Sequence, residues 1–321
     1  MKTLVTGGAG YFGSVVVRRL LAAGHEVCVL DSLERGGEAL LSLWHHPGFR
    51  FVHGDVRAAQ RVEEALEGVD AVAHLAAVVG APACARDPQR ARSVNVEGSR
   101  VVYEAAAARG VERFVFASTC TRFGFAAGLD ESSEVAKDPL ALYARTKSEV
   151  EQELLTPRAG APATTVLRFA TFFGLSPKMR FDLTVNGYTR ELLRRRKLIV
   201  YGGHTWRPYL HVSDAATALD TALSAELATV RSRVFNVGDE RMRVRKERVA
   251  ELVAQSMPHE VEIEAVERDV DAREHGLSFR RFRRALGFRP EHTLRQGIAE
   301  VRDALQQGVF GVEETRPAVA A

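Results

Sequence analysis

Up to about residue 174, the chain alternates short apolar runs with longer amphipathic stretches. Runs that are apolar on both faces predict strands of a parallel sheet that is covered on both sides. The predicted strands are Thr3–Thr6, Glu26–Leu30, Phe51–His53, Ala71–Leu75, Arg113–Ala117 and Thr165–Phe169. Helical spacing between them predicts the helices Gly13–Ala23, Val62–Leu66, Val94–Arg109 and Leu142–Leu155. Repeated strand–helix units predict an α/β fold with a doubly wound parallel sheet of Rossmann type.

After Gly174 the alternation becomes irregular, which predicts a smaller second lobe made of separate segments. We predict helices over 183–196, 214–223 and 244–255, strands over 198–201, 234–237 and 260–264, and two late helices. A loop is predicted to end at Trp206-Arg207-Pro208. The predicted domains are 1–174 for the sheet domain, with a further strand and helix from about 205–240, 175–312 for the discontinuous C-terminal lobe, and 313–321 for a flexible tail.

Composition and charge exclude several classes of protein. The 321 residues are 46% apolar and 26% charged, which is typical of a globular chain. A net charge of +3, with the basic residues spread along the chain, gives no indication of a nucleic-acid partner. Three cysteines without a C-x-x-C pair indicate neither a disulfide framework nor a zinc site, and no metal is expected. Without a membrane-length apolar run, and with a strand starting near Lys2 in place of a signal peptide, we expect a cytoplasmic protein.

The first predicted strand runs directly into a glycine-rich loop, Gly7-Gly8-Ala9-Gly10-Tyr11-Phe12-Gly13. In such a loop Gly7 permits a tight turn, Gly10 lets backbone amides approach a pyrophosphate, and Gly13 lets helix and strand pack closely. The positive end of the following helix favours phosphate groups. Because any glycine-rich turn between strand and helix can produce this pattern, the loop alone supports a dinucleotide site only weakly.

The ends of the next strands strengthen this interpretation. Asp31 lies 18 residues beyond Gly13, where a carboxylate binds the adenosine ribose. Its charge repels a 2′-phosphate and favours NAD, although the nearby Arg35 leaves NADP open. Asp55 is placed to accept from the adenine amino group, and the small residues of His74-Leu75-Ala76-Ala77 let backbone lie flat against a cofactor. His74 itself is expected to be a core histidine.

Tyr143 and Lys147 stand four residues apart on a predicted helix, so their polar groups share one face. A free tyrosine has a pKa near ~10. A neighbouring ammonium and a cationic nicotinamide would stabilise the phenolate and make it a general base near neutral pH. Ser118 and Thr119 follow the fifth strand, where a hydroxyl can bridge the tyrosine and a substrate oxygen. Taken alone, these two residues are better explained as a strand-ending turn.

Together these motifs resemble the extended short-chain dehydrogenase/reductase family, and within it the NAD-dependent sugar-nucleotide epimerases and dehydratases of the UDP-glucose 4-epimerase type. The resemblance covers nearly the whole chain. Its motifs, in order, are Thr6 to Gly13, Asp31, Gly54-Asp55-Val56-Arg57, His74-Leu75-Ala76-Ala77, Asn95-Val96-Glu97-Gly98, Ser118-Thr119, Tyr143 to Lys147, Leu167-Arg168-Phe169, Gly202 to Arg207 and His211-Val212-Ser213-Asp214. It implies NAD as the cofactor and a second lobe that binds a nucleoside diphosphate sugar.

The resemblance also implies roles for individual residues. Thr119, Tyr143 and Lys147 would be the catalytic set. The cofactor would be bound by Gly7, Gly10, Tyr11, Phe12, Gly13, Asp31, Asp55, Val56, Leu75, Ala76, Ala77, Asn95, Ser118, Tyr143, Lys147 and Phe169. The substrate would be bound by Thr119, Thr171, Asn186, Arg207, Arg268 and Asp271. The helices Val94–Arg109 and Leu142–Leu155 would pair across the two-fold axis of a homodimer.

Departures from the family pattern narrow the reaction. The family's 4,6-dehydratases carry an Asp-Glu pair directly after the catalytic threonine, and this chain has Cys120-Thr121 there, which leaves epimerisation or keto reduction. Thr121 also argues against the family's decarboxylases. Arg122 is either a surface substitution or a contact to an acidic sugar substituent. Because Thr171 and Pro208 replace a common Asn and Asp, the sugar itself is not predicted.

Three functions fit these observations. The first is an NAD-dependent epimerase that acts at C4 of a nucleoside diphosphate sugar through a 4-keto intermediate, with Tyr143 as general base. The second is a reductase of a 4-keto sugar nucleotide, against which Asp31 counts because such reductases more often use NADPH. The third is a cofactor-binding regulator without catalysis, since a fold does not dictate function. Such a regulator would have no need to retain the three catalytic side chains.

Overall fold

The computed structural model describes residues 1–120, 131, 142–267 and 276–310. Its strands are β1 Lys2–Thr6, β2 Glu26–Asp31, β3 Phe49–His53, β4 Ala71–His74, β5 Arg113–Thr119, β6 Ala163–Phe169, β7 Thr171–Phe173, β8 Lys197–Tyr201, β9 Trp206–His211, β10 Arg233–Val237, β11 Arg243–Arg245 and β12 Glu262–Val266. Its α-helices are α1 Tyr11–Ala22, α2 Ala59–Ala65, α3 Ala81–Arg86, α4 Pro88–Arg92, α5 Gly98–Ala108, α6 Leu142–Leu155, α7 Thr184–Arg195, α8 Val212–Ser224, α9 Leu227–Val230, α10 Lys246–Ala254, α11 Arg280–Leu286 and α12 Leu294–Gln306.

Among the described residues, seven strands form one parallel sheet in the order β10-β6-β5-β4-β1-β2-β3. This confirms the predicted doubly wound sheet. The order of strands reverses between β1 and β4, and a crevice opens beyond their carboxyl ends. The candidate site lies at this crevice.

Alternating side chains bury both faces of the sheet. In β1, Leu4 enters the core beneath α2, α5 and α6, whereas Val5 enters the core beneath α1 and α8. Each face is therefore sealed by helices, which explains why these strands read as continuous apolar runs. The sheet becomes a rigid platform for the loops at its carboxyl edge.

The second lobe contains two small sheets, β11-β9-β7 and β12-β8, packed with α7, α10 and α12. β7 follows β6 directly, so the lobe begins at the edge of the crevice. Strand β10 lies in the large sheet and helix α8 packs on it. The domain boundaries themselves remain a prediction.

Some elements differ from those predicted. Residues 206–208, predicted as the end of a loop, begin strand β9, because β9 pairs with β7 on one side and β11 on the other. Helices α3 and α4 were not predicted, since each is only one or two turns long. The predicted helix over 94–109 is interrupted at its start by a π-helical turn, Ser93–Glu97.

The three cysteines, Cys28, Cys84 and Cys120, are buried, and none of them forms a disulfide bond within the described residues. In the part of the chain that the structure describes, no helix has both the length and the apolar character needed to cross a bilayer. The same residues contain no cluster of three or more His, Cys, Asp or Glu side chains arranged to hold a metal ion.

Candidate active site

The glycine loop is closed by backbone contacts that leave no room for side chains. Gly7 has a φ of 74°, and a Cβ there would lie 2.9 Å from the backbone N of Ala76. A Cβ on Gly13 would lie 2.0 Å from the Gly7 carbonyl oxygen. The bare Cα atoms thus let β4, the loop and α1 meet at one point. This confirms the close packing for which the sequence motif is known.

Helix α1 begins at this loop with Gly10 as its N-cap and no capping side chain. Its first backbone N–H groups therefore have no side-chain acceptor, and they carry the positive end of the helix dipole. A helix end of this kind, preceded by a glycine-rich loop, fits a pyrophosphate.

Asp31 stands at the end of β2 beside the loop. Its two carboxylate oxygens accept hydrogen bonds from the amides of Ala9 and Leu33, each at 2.9 Å. Burial raises the pKa of Asp31, and these two hydrogen bonds oppose that change. The carboxylate therefore braces the glycine loop and still lies at the position where a ribose diol is expected.

Asp55 has a partner that the sequence did not indicate. Arg57 forms a two-pronged ion pair with it, with nitrogen–oxygen distances of 2.9 and 2.6 Å, and holds the pKa of Asp55 below its ordinary value. An adenine amino group would share this carboxylate with Arg57. Val56 is buried against Gly98.

His74 is a fully buried core histidine, as predicted. Its Nδ1 lies 2.8 Å from the Thr6 hydroxyl, and its Nε2 lies 2.9 Å from the Ser99 hydroxyl. Because the Ser99 hydroxyl donates to a backbone carbonyl, the network assigns the ring proton to Nε2. The Thr6 hydroxyl accepts from the two amides after His74, at 3.2 Å each. This chain of hydrogen bonds fixes the β4 loop, with Leu75, Ala76 and Ala77, against β1.

Asn95 lies in the π-helical turn and is buried. Its side-chain oxygen accepts from the Val78 amide at 2.7 Å, and its nitrogen donates to the Val78 carbonyl at 3.0 Å and to Thr146 at 3.2 Å. These hydrogen bonds make Asn95 a brace between the β4 loop and α6. Its contact with the cofactor stays a prediction.

Tyr143 and Lys147 lie on α6, the helix predicted there, and α6 packs against β5. The Lys147 ammonium donates to the carbonyl of Ala117 at 2.9 Å and lies 4.5 Å from the centre of the Phe116 ring. Burial lowers the pKa of Lys147 to about 7. Thr119 is the last residue of the same strand, β5, and is buried. The structure therefore brings the three expected catalytic residues to one edge of the sheet.

The electrostatic environment of Tyr143 differs from the expectation. Burial raises the pKa of Tyr143 to about 12, and the charge that opposes burial is that of Arg180, from the loop before α7. Arg180 was missed because an arginine in an irregular loop carries no sequence signal.

The side chain of Ser118 is turned towards α6 and not towards the crevice. Its hydroxyl donates to Glu151, and Glu151 forms a buried ion pair with Arg168 at 2.8 Å. Successive side chains of a strand point to opposite faces, so Thr119 and Ser118 cannot both face the cofactor. Glu151 is one turn beyond Lys147 on the buried face of α6, a signal from which it could have been found.

Aromatic side chains support the glycine loop from below. The Phe12 ring meets those of Phe169 and Phe172, with centroids 5.2 and 4.7 Å apart. The Tyr11 hydroxyl donates to the Gly174 carbonyl at 2.8 Å. Tyr11 and Phe12 thus join the glycine loop to the segment that follows β6.

The expected substrate residues divide into three groups. Thr171 and Arg207 are half-buried on β7 and β9, in the sheet that borders the crevice. Asn186 is fully buried, and its oxygen accepts from the Gly174 amide at 2.9 Å, so its side chain is used within the protein and not in the crevice. Arg268 and Asp271 lie outside the described residues, as do Thr121 and Arg122.

The parallel sheet, the glycine loop and the tyrosine–lysine pair define a protein of the extended short-chain dehydrogenase/reductase type. The sequence model of the NAD dependent epimerase/dehydratase family matches residues 3–238, and the chain belongs to that family. It is thus an enzyme-family member whose cofactor is NAD, in agreement with the cofactor predicted from Asp31.

Relatives of both reaction types resemble the chain. A UDP-glucose 4-epimerase from Corynebacterium glutamicum is 29% identical over 319 residues, which cover 94% of each chain. A UDP-glucose 4-epimerase structure from Thermotoga maritima, solved with UDP-glucose, has a TM-score of 0.82 at 26% identity and covers 97% of this chain and 100% of its own. The dTDP-glucose 4,6-dehydratase DesIV from Streptomyces venezuelae, solved with NAD and TYD, has a TM-score of 0.87 at 26% identity, with coverage of 98% and 100%.

Proposed function

We propose that the protein is an NAD-dependent epimerase of a nucleoside diphosphate sugar that acts at C4 through a transient 4-keto intermediate. The observation that carries the proposal is the placement of Tyr143 and Lys147 on α6 against the end of β5, at the same sheet edge as the glycine loop. The relatives that are UDP-glucose 4-epimerases support the choice of substrate class and carbon.

The chain's own residues divide the work of this reaction. Bound NAD supplies the means to oxidise and then reduce one sugar carbon. Tyr143 takes the proton of the sugar hydroxyl as general base, and the Thr119 hydroxyl passes it along. Lys147, fixed by the Ala117 carbonyl, holds the nicotinamide ribose. The ketone then rotates within the second lobe and presents its other face to the cofactor. Tyr143 returns the proton, and the epimer forms.

The second lobe supplies the cation for the diphosphate. Arg207 is half-buried on β9, where burial lowers its pKa but leaves it a guanidinium. A planar guanidinium binds phosphate through two parallel hydrogen bonds, which gives direction as well as affinity. We assign this role to Arg207.

The residue after Thr119 separates epimerisation from dehydration. The Cys120 thiol is buried and donates to the Arg168 carbonyl at 3.1 Å. A thiol turned into the core cannot act as the acid that eliminates water from the sugar. The geometry of this residue therefore favours epimerase over dehydratase.

Turnover with a panel of sugar nucleotides tests the proposal. Formation of the C4 isomer without net change at the nicotinamide absorbance band supports an epimerase. Stoichiometric loss of added reduced cofactor would instead identify a 4-keto reductase, and cofactor binding without any turnover would identify a regulator. Tyr143→Phe should abolish turnover and leave NAD binding intact; full activity of this variant would contradict the mechanism.

A homodimer through α5 and α6 remains part of the proposal. The two helices lie side by side, and their outer faces carry Arg100, Glu149 and Glu153, with Arg100 and Glu153 paired at 2.7 Å within one protomer. Two-fold symmetric dimers are the commonest oligomers. Light scattering at micromolar concentration should give twice the mass of the chain, and a monomer would refute this assembly.

A further inference from the structure

A segment of the second lobe crosses the edge of the large sheet at which the cofactor crevice opens. It comprises residues 174–182, between β7 and α7, and is called the strap here. In the large sheet, β4, β1 and β2 are neighbours, and the strand order reverses between β4 and β1. The strap contacts the elements that follow each of these three strands.

The strap begins with buried contacts to the first turn of α1, the helix that follows β1. The Tyr11 hydroxyl donates to the Gly174 carbonyl at 2.8 Å, and the Ser176 hydroxyl donates to the Tyr11 carbonyl at 2.7 Å. The hydroxyl oxygens of Ser14 and Ser176 are 3.2 Å apart. Tyr11, Ser14 and Ser176 are all buried. Because the first N–H groups of α1 are placed for a pyrophosphate, this end of the strap is anchored beside the expected phosphate site.

Further along, the strap meets the loop that follows β4. A terminal nitrogen of the Arg180 guanidinium lies 3.8 Å from the position that a Cβ on Gly80 would take. Gly80 has a φ of 88° and ends the β4 loop, directly before α3. Asp182 binds the same guanidinium, with 3.0 Å between Nε and Oδ1, and the Asn186 side chain donates to the Arg180 carbonyl at 3.1 Å. These bonds hold Arg180 at the β4 side of the crevice.

Between these two contacts, the strap is joined to the element that follows β2. The Lys178 ammonium forms an ion pair with Glu38, the first residue of a 3₁₀-helix over Glu38–Leu43. That helix is itself bonded to α1, since Arg18 donates to the Ala39 carbonyl at 2.8 Å. The Lys178 side chain is 17% exposed, and that of Glu38 is 48% exposed. Because water and salt compete for such charges, this ion pair opens more easily than the buried hydrogen bonds at the start of the strap.

These contacts place the strap across the crevice, from the β4 side to the β2 side. A dinucleotide bound where the strand order reverses then lies between the sheet edge and the strap. We propose that Lys178 and Glu38 are positioning residues whose ion pair holds the strap against the element after β2 and thereby slows the release of NAD. The inference rests on NAD as the cofactor and not on the proposed reaction at the sugar.

Removal and exchange of the two charges test the inference. Lys178→Met and Glu38→Gln each remove one charge, and the double variant Lys178→Glu with Glu38→Lys restores the pair with its charges exchanged. Lys197→Met is the matched control, because it breaks an exposed ion pair with Glu262, at 3.0 Å, that joins β8 to β12 within the second lobe. Each protein is loaded with NADH, and release is followed by the loss of bound nicotinamide fluorescence after mixing with excess NAD. This measurement requires no turnover.

We expect the release rate to rise about threefold in Lys178→Met and in Glu38→Gln, the size of effect expected for one partly exposed ion pair. The rate should stay unchanged in Lys197→Met and return towards that of the wild type in the charge-exchanged variant. In the wild type, added salt should speed release because it screens the ion pair, and it should have less effect in Lys178→Met. Thermal unfolding without nucleotide should be nearly the same for all variants, since such a pair contributes little to the stability of the fold.

Release at the wild-type rate in both Lys178→Met and Glu38→Gln would overturn the inference. A charge-exchanged variant that releases NADH as fast as the single variants would also overturn it. So would a faster release confined to Lys178→Met, because the lysine would then act on the cofactor without Glu38. A protein whose release rates follow the prediction but which turns over no sugar nucleotide would refute the proposed function and leave this inference standing.

Discussion

Replacing Gly13 by alanine tests the construction of the cofactor crevice. The added Cβ would lie 2.0 Å from the Gly7 carbonyl oxygen and 2.8 Å from both the Gly7 carbonyl carbon and the Gly8 Cα. All three are backbone atoms, so no rotamer change relieves the contact. Carbon and oxygen attract at about 3.5 Å, so α1 must move away from the loop by about 1.5 Å.

The free energy that this movement costs follows from the known effects of overpacking. Overpacking of this kind costs about 1–3 kcal/mol. If the movement withdraws the N–H groups of α1 from the pyrophosphate, a loss of that size in binding weakens the NAD affinity about 5-fold to about 150-fold. Gly13→Ala should therefore lower both the unfolding temperature and the NAD affinity.

Two other glycines separate stability from affinity. Gly10 has a φ of −78°, and its Cβ would meet one backbone atom at 3.3 Å, so Gly10→Ala should keep stability and lose affinity if its Cα faces the pyrophosphate. Gly110, at the end of α5, has a φ of 69° and an open surrounding. Gly110→Ala should cost about 1 kcal/mol of stability, from backbone strain, with NAD affinity unchanged.

Isothermal titration with NAD and thermal unfolding measure both quantities for the three variants. A Gly13→Ala protein with the affinity and unfolding temperature of the wild type would refute the reasoning, because it would show that loop and helix are not in contact at this glycine.

Three further predictions concern stability. Arg168→Met should lower the free energy of unfolding in urea by about 3–5 kcal/mol, because it leaves the Glu151 carboxylate buried without its cation. The double variant Arg168→Met with Glu151→Leu should lose less than Arg168→Met alone, because neither charge is then buried. A larger loss in the double variant would contradict this. Burial lowers the pKa of His74 to about 3, below its value in the unfolded chain. Because the unfolded chain therefore binds this proton first, the free energy of unfolding should fall as the pH drops from about 6.5 towards 3. The slope for this proton is about 1.4 kcal/mol per pH unit. His74→Gln should flatten that slope and exposed His45→Gln should not; equal slopes would refute the assignment. Thr293→Ala should cost about 1 kcal/mol in thermal unfolding because Thr293 closes a capping box at α12, and no loss would show that the box is not formed.

The regular part of the fold could be predicted because each of its elements has a characteristic spacing of apolar residues within a short stretch of sequence. The strands of the large sheet are buried on both faces, and the glycine loop and Asp31 stand at fixed positions after two of them. The i and i+4 spacing of Tyr143 and Lys147 is enough to predict that their side chains lie on the same face of a helix. These features depend on short stretches of sequence.

The parts that were not predicted depend on contacts between distant segments. Strand β9 exists because β7 and β11 flank it, which no local pattern reveals. The side chains of Ser118, Asn95 and Asn186 fit a binding motif, yet they bond within the protein. Ser118 and Asn95 bond to partners 33 and 17 residues away, and Asn186 bonds to Gly174 and to the hydroxyl of the distant Tyr11. Motif position therefore indicates the candidate site, and tertiary contacts decide how its side chains are used.

The central claim is that Tyr143 and the cofactor act together on one carbinol carbon, and isotope tracing tests it most directly. The enzyme is incubated with nucleoside diphosphate sugars deuterated at C4, and the products are read by mass spectrometry and nuclear magnetic resonance. We predict a C4 epimer that keeps its deuterium, without consumption of added cofactor, and no epimer with Tyr143→Phe. Loss of the deuterium to solvent, or an epimer formed equally well by Tyr143→Phe, would contradict the account.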